Sequence, residues 1–449
     1  MSTNTPPMWK GNNLNDFRKI TDAPADEAIK ALYQNVNFLQ DRDELKEMAK
    51  NDTFVPANMP PAIRDFINHE LSVTYSEVEK AAFIRAHEVW KENGVQFIFV
   101  LFFRGLPYTY MAEKPANVLR LTKLLEQHPT RRILETAQFV FDVMDNKWWE
   151  PESRGILTAL KVRLMHSAMR FNLLNKPVGD DKWDIDKWGM PISQEDLIAT
   201  NQVFSLEFFK GMEMLGESLT PGQQADWFLT WKTIGRIMGI QKELLCPNVE
   251  QAWVLQKAVY NHLFPDDNTA GVALAKALVE TLSEFLLSTK MVLIMMRKMI
   301  MDEDHPDLFF RVLGPTYGSE YPSVFARTRS ADDSSDLDKI LSDEFHTELI
   351  GYKERVIDFR KDQKAKDPKT RGDGGEKSLI DFQLDVFEDL LEEMHPDRPQ
   401  TRGVGTFLLK KAMASVGGVI IGILSTYFRE GKQTKFRIPA DLKEHWALS

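Results

Sequence analysis

Arg131–Asp145, RRILETAQFVFDVMD, and Arg154–Leu174, RGILTALKVRLMHSAMRFNLL, are separated by NKWWEPES. Each stretch repeats apolar residues every three to four positions, which is the period of an α-helix. In the first, Arg132, Glu135 or Thr136, Phe139 and Val143 share a face. In the second, Val162, Arg163, His166, Met169, Arg170 and Leu173 do. So short a connection makes the two helices antiparallel neighbours. With the turn centred on Trp149, Arg132 and His166 are equidistant from it, and Thr136 lies one turn, or about 6 Å, closer. The two faces meet at one level, with His166 on one wall and Arg132, Glu135 and Thr136 on the other.

That space has the chemistry of a haem site. A neutral imidazole on a rigid helix is an axial ligand for haem iron. Phe139, Val162, Met169 and Leu173 supply apolar walls. Arg163 and Arg170, one turn either side of His166, match the two carboxylates of the macrocycle. A plainer reading stands beside this one. A single histidine on a helix face is commonly a hydrogen-bonded core residue, and Arg163 and Arg170 could bridge acidic residues on neighbouring helices. Arg132 and Glu135 could be a surface ion pair, and Thr136 could bond its own backbone.

The rest of the chain narrows the class. Its 449 residues, 43% hydrophobic and 27% charged, can bury a large core. A net charge of -10 argues against a nucleic-acid partner. One cysteine, Cys246, excludes a disulfide framework and a cysteine-based zinc site. The other eight histidines are scattered, with no His-Glu-x-x-His. No phosphate-binding glycine loop or nucleophile-elbow serine is present. The Met-rich run Lys290–Met301 reads as adaptable packing.

Helical periodicity recurs over Ser76–Asn93, Gln194–Leu215, Thr269–Met301 and Leu379–Met394, and alternating strand patterns are scarce. The expectation is an all-α chain, with an N-terminal arm over 1–30 and a single large helical domain over 31–449. A polar loop interrupts the domain over 329–378, within which Asp343–Phe359 can form a helix. The N-terminus has no apolar core after a basic start, so a soluble, cytoplasmic protein without a signal peptide is expected. Ala412–Phe428, uncharged and glycine-bearing, reads as a buried helix, with peripheral membrane contact as the other reading.

Arg132-x-x-x-Thr136 followed by VRLMHSAMR around His166 resembles the latex-clearing protein (rubber oxygenase) family, which also includes the membrane-bound fungal oxygenase of mycophenolic acid biosynthesis. The resemblance continues through KWGMPISQEDLIATNQVFS (187–205) and LGESLTPGQQADWFLTWKTIGRIMGI (215–240), with Trp231, Gly235 and Gly239 in matching places, to FRIPADLKEHW (436–446).

The resemblance implies a globin-reminiscent helical fold around haem b, with His166 as proximal ligand and Arg163 and Arg170 near the propionates. It places Arg132 and Thr136 on the distal or substrate side. The activity it implies is cleavage of an isoprenoid double bond by dioxygen, the cofactor carrying the oxygen chemistry. Two departures stand out. Glu135 occupies the position of a lysine that can cap the iron in the rubber enzymes. Their upstream distal glutamate has Glu113 as its nearest counterpart here, or Glu135 takes its role. Rubber is extracellular, so without an export signal the expected substrate is a small apolar molecule. Three rivals remain: a haem sensor or carrier, a peroxidase-like enzyme using Arg132, and a helical interaction protein without cofactor.

Overall fold

Side-chain caps fix where several helices begin. Ser76, Ser193 and Thr220 each accept from the backbone N–H three residues on, while Glu79, Asp196 and Gln223 accept in return from the capping residue. Pro221 adds a preset φ at the first position of its helix.

The computed structural model describes residues 14–35, 60–122, 129–145, 149–150, 154–175, 182–265, 268–286, 288–301 and 305–327, together with 344, 347, 348 and 351. Among these, the regular elements are all helical. They are α1 (Leu14–Phe17), α2 (Ala23–Gln34), α3 (Pro61–Leu71), α4 (Glu77–Val100), α5 (Leu106–Met111), α6 (Glu113–Thr122), α7 (Pro129–Val143) and α8 (Arg154–Asn175). There follow α9 (Ile185–Trp188), α10 (Gln194–Leu215), α11 (Pro221–Ile237), α12 (Val249–Leu263), α13 (Thr269–Leu286), α14 (Thr289–Ile300) and α15 (Leu308–Tyr317). A π-helical turn, Leu101–Gly105, joins α4 to α5.

The all-α reading holds, with differences of detail. The helix read as ending at Asn93 continues to Val100. Asn93 leaves helical geometry (φ -123°, ψ 16°), yet the chain resumes the helix beyond it, driven by the buried run Phe97–Val100. Thr269–Met301 is two helices, because the Ser288 hydroxyl accepts from Met291 N at 3.1 Å and starts a new one. Residues 14–34 are no separate arm: Phe17, Ile29 and Leu32 are buried in the main core, and α2 packs along α8. Most of 329–378, and all of 379–394, 412–428 and 436–446, lie outside the described residues; residues 344, 347, 348 and 351 are helical.

At the centre, α4, α10 and α11 share an aromatic core. Phe97 packs against Phe208 and Trp227, and Phe204 stacks on Trp231 at 4.8 Å. The Trp227 indole N–H donates to the Phe204 carbonyl at 3.0 Å. Met291, Met295, Met296 and Met299 of α14 are fully buried, as packing residues would be. Among the described residues no single helix is long and apolar enough to cross a membrane.

Candidate functional site

α7 and α8 pack side by side, as the short connection requires. Near their turn the Thr158 hydroxyl donates to Asp142 Oδ2 at 2.9 Å, tying the start of α8 to the end of α7. Farther along, the facing walls part around a cavity of about 320 Å³, within the size range of small-molecule sites. His166 lines it from α8, and Glu135 and Thr136 line it from α7. All three are half-buried. Phe139, Val162 and Met169 line it as expected, and Leu106, Phe204 and Trp231 close it from α5, α10 and α11. Arg132 lies on α7, but its side chain is outside the described residues.

Arg163 and Arg170 are elsewhere. α8 is buried on nearly all sides, so both arginines are buried and need partners from the protein itself. Arg163 forms a fork with Asp22, Nε to Oδ2 at 2.5 Å and an Nη to Oδ1 at 2.8 Å. It also pairs with Glu70 at 2.9 Å and donates to the Ile237 carbonyl. Arg170 pairs with Asp26 and donates to the carbonyls of Pro191 and Ile192. Neither lines the cavity. The expectation that they meet a cofactor's carboxylates gives way to the plainer reading of acidic partners on neighbouring helices.

The pairing also explains a glycine. Gly239 has φ +88°, and a Cβ there would lie 2.5 Å from Asp22 Oδ2 and 2.8 Å from Arg163 Nε. The chain passes so close over the ion pair that only glycine fits.

Glu113 does not line the cavity either; it faces Lys187 at 3.8 Å, and the carboxylate residues that do line the cavity are Glu135 on α7 and Asp196 on α10. Sequence reasoning missed a polar group at the hairpin end. Gln138, Thr158 and Lys161 line the cavity, with Asp142 behind them. Burial holds the Asp142 carboxyl up at about 6, against the pull of the Thr158 and Gln138 hydrogen bonds and the charges of Arg154 and Lys161. Part of the signal was available: Gln138 and Asp142 continue the three-and-four spacing of Glu135, and Thr158 that of His166, whereas Lys161, five residues before His166, falls off it.

Among the described residues no group of three or more His, Cys, Asp or Glu side chains could hold a bare metal ion. One imidazole is enough, however, for an iron whose other equatorial donors arrive with a macrocycle. The donor set and the apolar walls therefore fit a haem, while Arg163 and Arg170 are paired with acidic residues and do not line the cavity.

Residues 96–303 match the family described as ER-bound oxygenase mpaB/B'/Rubber oxygenase, catalytic domain. The rubber oxygenase of Streptomyces sp. (strain K30) is 23% identical over 273 residues, 60% of this chain and 65% of that protein. Over these spans the chain is similar to the rubber oxygenases. The match spans just under two thirds of the relative's length. The latex clearing protein in its closed state superposes with a TM-score of 0.55 at 20% identity, over 74% of this chain and 91% of the other, so the rubber-oxygenase fold is shared. The span matched to the rubber-oxygenase catalytic domain contains every residue that lines the cavity. Asp22, Asp26 and Glu70, which neutralise Arg163 and Arg170, lie outside it.

Proposed function

We propose that this chain is a haem b-dependent oxygenase acting with dioxygen on a small, apolar, isoprenoid-like alkene. The observation that carries the reading is the convergence of His166, Glu135 and Thr136 on one largely apolar cavity inside the span matched to an oxygenase catalytic domain. His166 is the residue to hold the iron. When bound, the haem supplies the dioxygen chemistry that no protein side chain can.

The chain's own residues do the rest. The walls from α5, α7, α10 and α11 exclude water and take up an apolar chain. Glu135 is a carboxylate facing this apolar space, able to accept or return a proton at the reacting end of the substrate. The Thr136 hydroxyl, one residue on, can donate to a polar atom formed there. Arg132 belongs to this wall by its place on α7. The cytoplasmic location and the dioxygenase-type cleavage are proposals that rest on sequence, as is the reading of 412–428 as a buried helix, with peripheral membrane contact as its alternative.

Dioxygen uptake by the haem-loaded protein tests it, with linear isoprenoid alkenes as substrates. Uptake coupled to carbonyl product, lost in His166→Ala and reduced at least tenfold in Glu135→Gln, is expected. Haem binding without alkene-dependent uptake would favour the sensor or carrier reading.

A further inference from the structure

Among the described residues, Ile192 is the only non-glycine residue at positive φ, +52°. A β-branched side chain rarely adopts this left-handed region, where Cβ crowds the following carbonyl oxygen. Three residues earlier the same connection uses a glycine, Gly189 at +72°. The surroundings hold the strained peptide in place. Arg170 donates from Nε to the Pro191 carbonyl at 2.9 Å and from an Nη to the Ile192 carbonyl at 2.8 Å. On the other side, Ser193 N donates to Asp196 Oδ2 at 2.9 Å, in the cap that opens α10. Strain over-determined in this way points to a use for the side chain held there.

Ile192 lies at one end of the cavity. The wall from α8 runs from Thr158 to Met169, about 16 Å along the axis. Ile192 lines the cavity just before Asp196 and Leu197 of α10, and no residue of 182–191 does. It packs against the buried cluster of Val118, Leu121, Met169, Leu173 and Trp183, of which Leu121, Leu173 and Trp183 do not line the cavity. Ile192 therefore touches both the cavity and the core beyond it, at the end marked by Met169. His166 precedes Met169 by three residues, about 4.5 Å along the axis, and follows Thr158 by eight, about 12 Å. The space along α8 thus has a long arm toward the hairpin and a short arm that ends at Ile192.

We infer that Ile192 is the end stop of the cavity and limits the length of apolar chain that it takes up past His166. This rests on the reading of the cavity as an alkene site and adds a length limit to its substrate class.

Calorimetric titration of the full-length protein as purified, with haem content measured in parallel, tests the inference. The ligands are a series of methyl-branched alkenes of increasing chain length. Each added carbon tightens binding while the cavity has room, so the wild type is expected to gain affinity along the series and then level off. In Ile192→Gly the levelling point should move out by about two to four carbons, the room an isoleucine side chain vacates. Ile192→Asn is the control, since asparagine tolerates the left-handed region yet keeps a side chain of similar length. Its levelling point should stay at the wild-type position. An unmoved levelling point in Ile192→Gly overturns the inference, and so does an equal move in both variants, which would trace the effect to the backbone. A changed haem absorption in Ile192→Gly with no change in chain length also overturns it, by assigning this end to the cofactor. Binding of no alkene by any of the three proteins would remove the alkene-site reading as well. Should Ile192→Gly fail to fold, Ile192→Ala decides in its place, with the same outward move expected and an unmoved levelling point overturning the inference.

Discussion

Arg163 and Asp142 show how burial decides what a charged residue does in this chain. Arg163 is 5% exposed and faces two carboxylates, so truncating it leaves Asp22 and Glu70 uncompensated in the interior. Arg163→Ala is expected to lower stability by about 3–5 kcal/mol in denaturant titrations. The loss should appear equally in protein stripped of haem. Unchanged stability of the stripped protein, with weaker haem binding, would restore the cofactor role. Asp142 acts in the opposite sense to a surface carboxylate. Its folded value of about 6 lies above the ordinary 3.8, so between these the native state binds more protons than the unfolded one. Its contribution is full below the lower value and is lost as pH rises through the window. About two units corresponds to roughly 3 kcal/mol. In Asp142→Asn that decline in stability between about pH 4 and 6 should flatten, as thermal melts across the range would show.

Elements carry their own predictions. Thr220 opens α11 with a reciprocal cap to Gln223, so Thr220→Ala should cost about 1 kcal/mol. Gly239→Ala should cost more, about 1–3 kcal/mol, since it adds strain at φ +88° to a clash with the Asp22–Arg163 pair. Urea unfolding of the two variants side by side checks the order. The α7–α8 hairpin was legible in the sequence because its connection is short and its apolar period regular. The break at Ser288 was harder to see, because a single hydroxyl cap interrupts an otherwise continuous apolar pattern.

Across the whole molecule, legibility follows sequence distance. His166, Glu135 and Thr136 sit on adjacent helices, and local spacing alone placed them opposite one another. The aspartate partners of Arg163 and Arg170 come from the start of α2, 141 and 144 residues away, and Glu70 comes from α3; no local period encodes which distant helix will cover α8. Reading those arginines as cofactor anchors used the right chemistry with the wrong carboxylates. Asp22 and Asp26, one helical turn apart at the start of α2, were the available clue. The outer cavity walls, from α5, α6, α10 and α11, depend on tertiary packing in the same way.

The central claim is that the His166 imidazole holds a haem iron within this cavity. Titrating haem into the purified protein, and following the Soret band in oxidised and reduced states, tests it most directly. The account predicts saturation at one haem per chain, with the band lost or strongly shifted in His166→Ala while far-ultraviolet circular dichroism stays helical. A band that is the same in the variant, or no band in the wild type after supplementation, would contradict it.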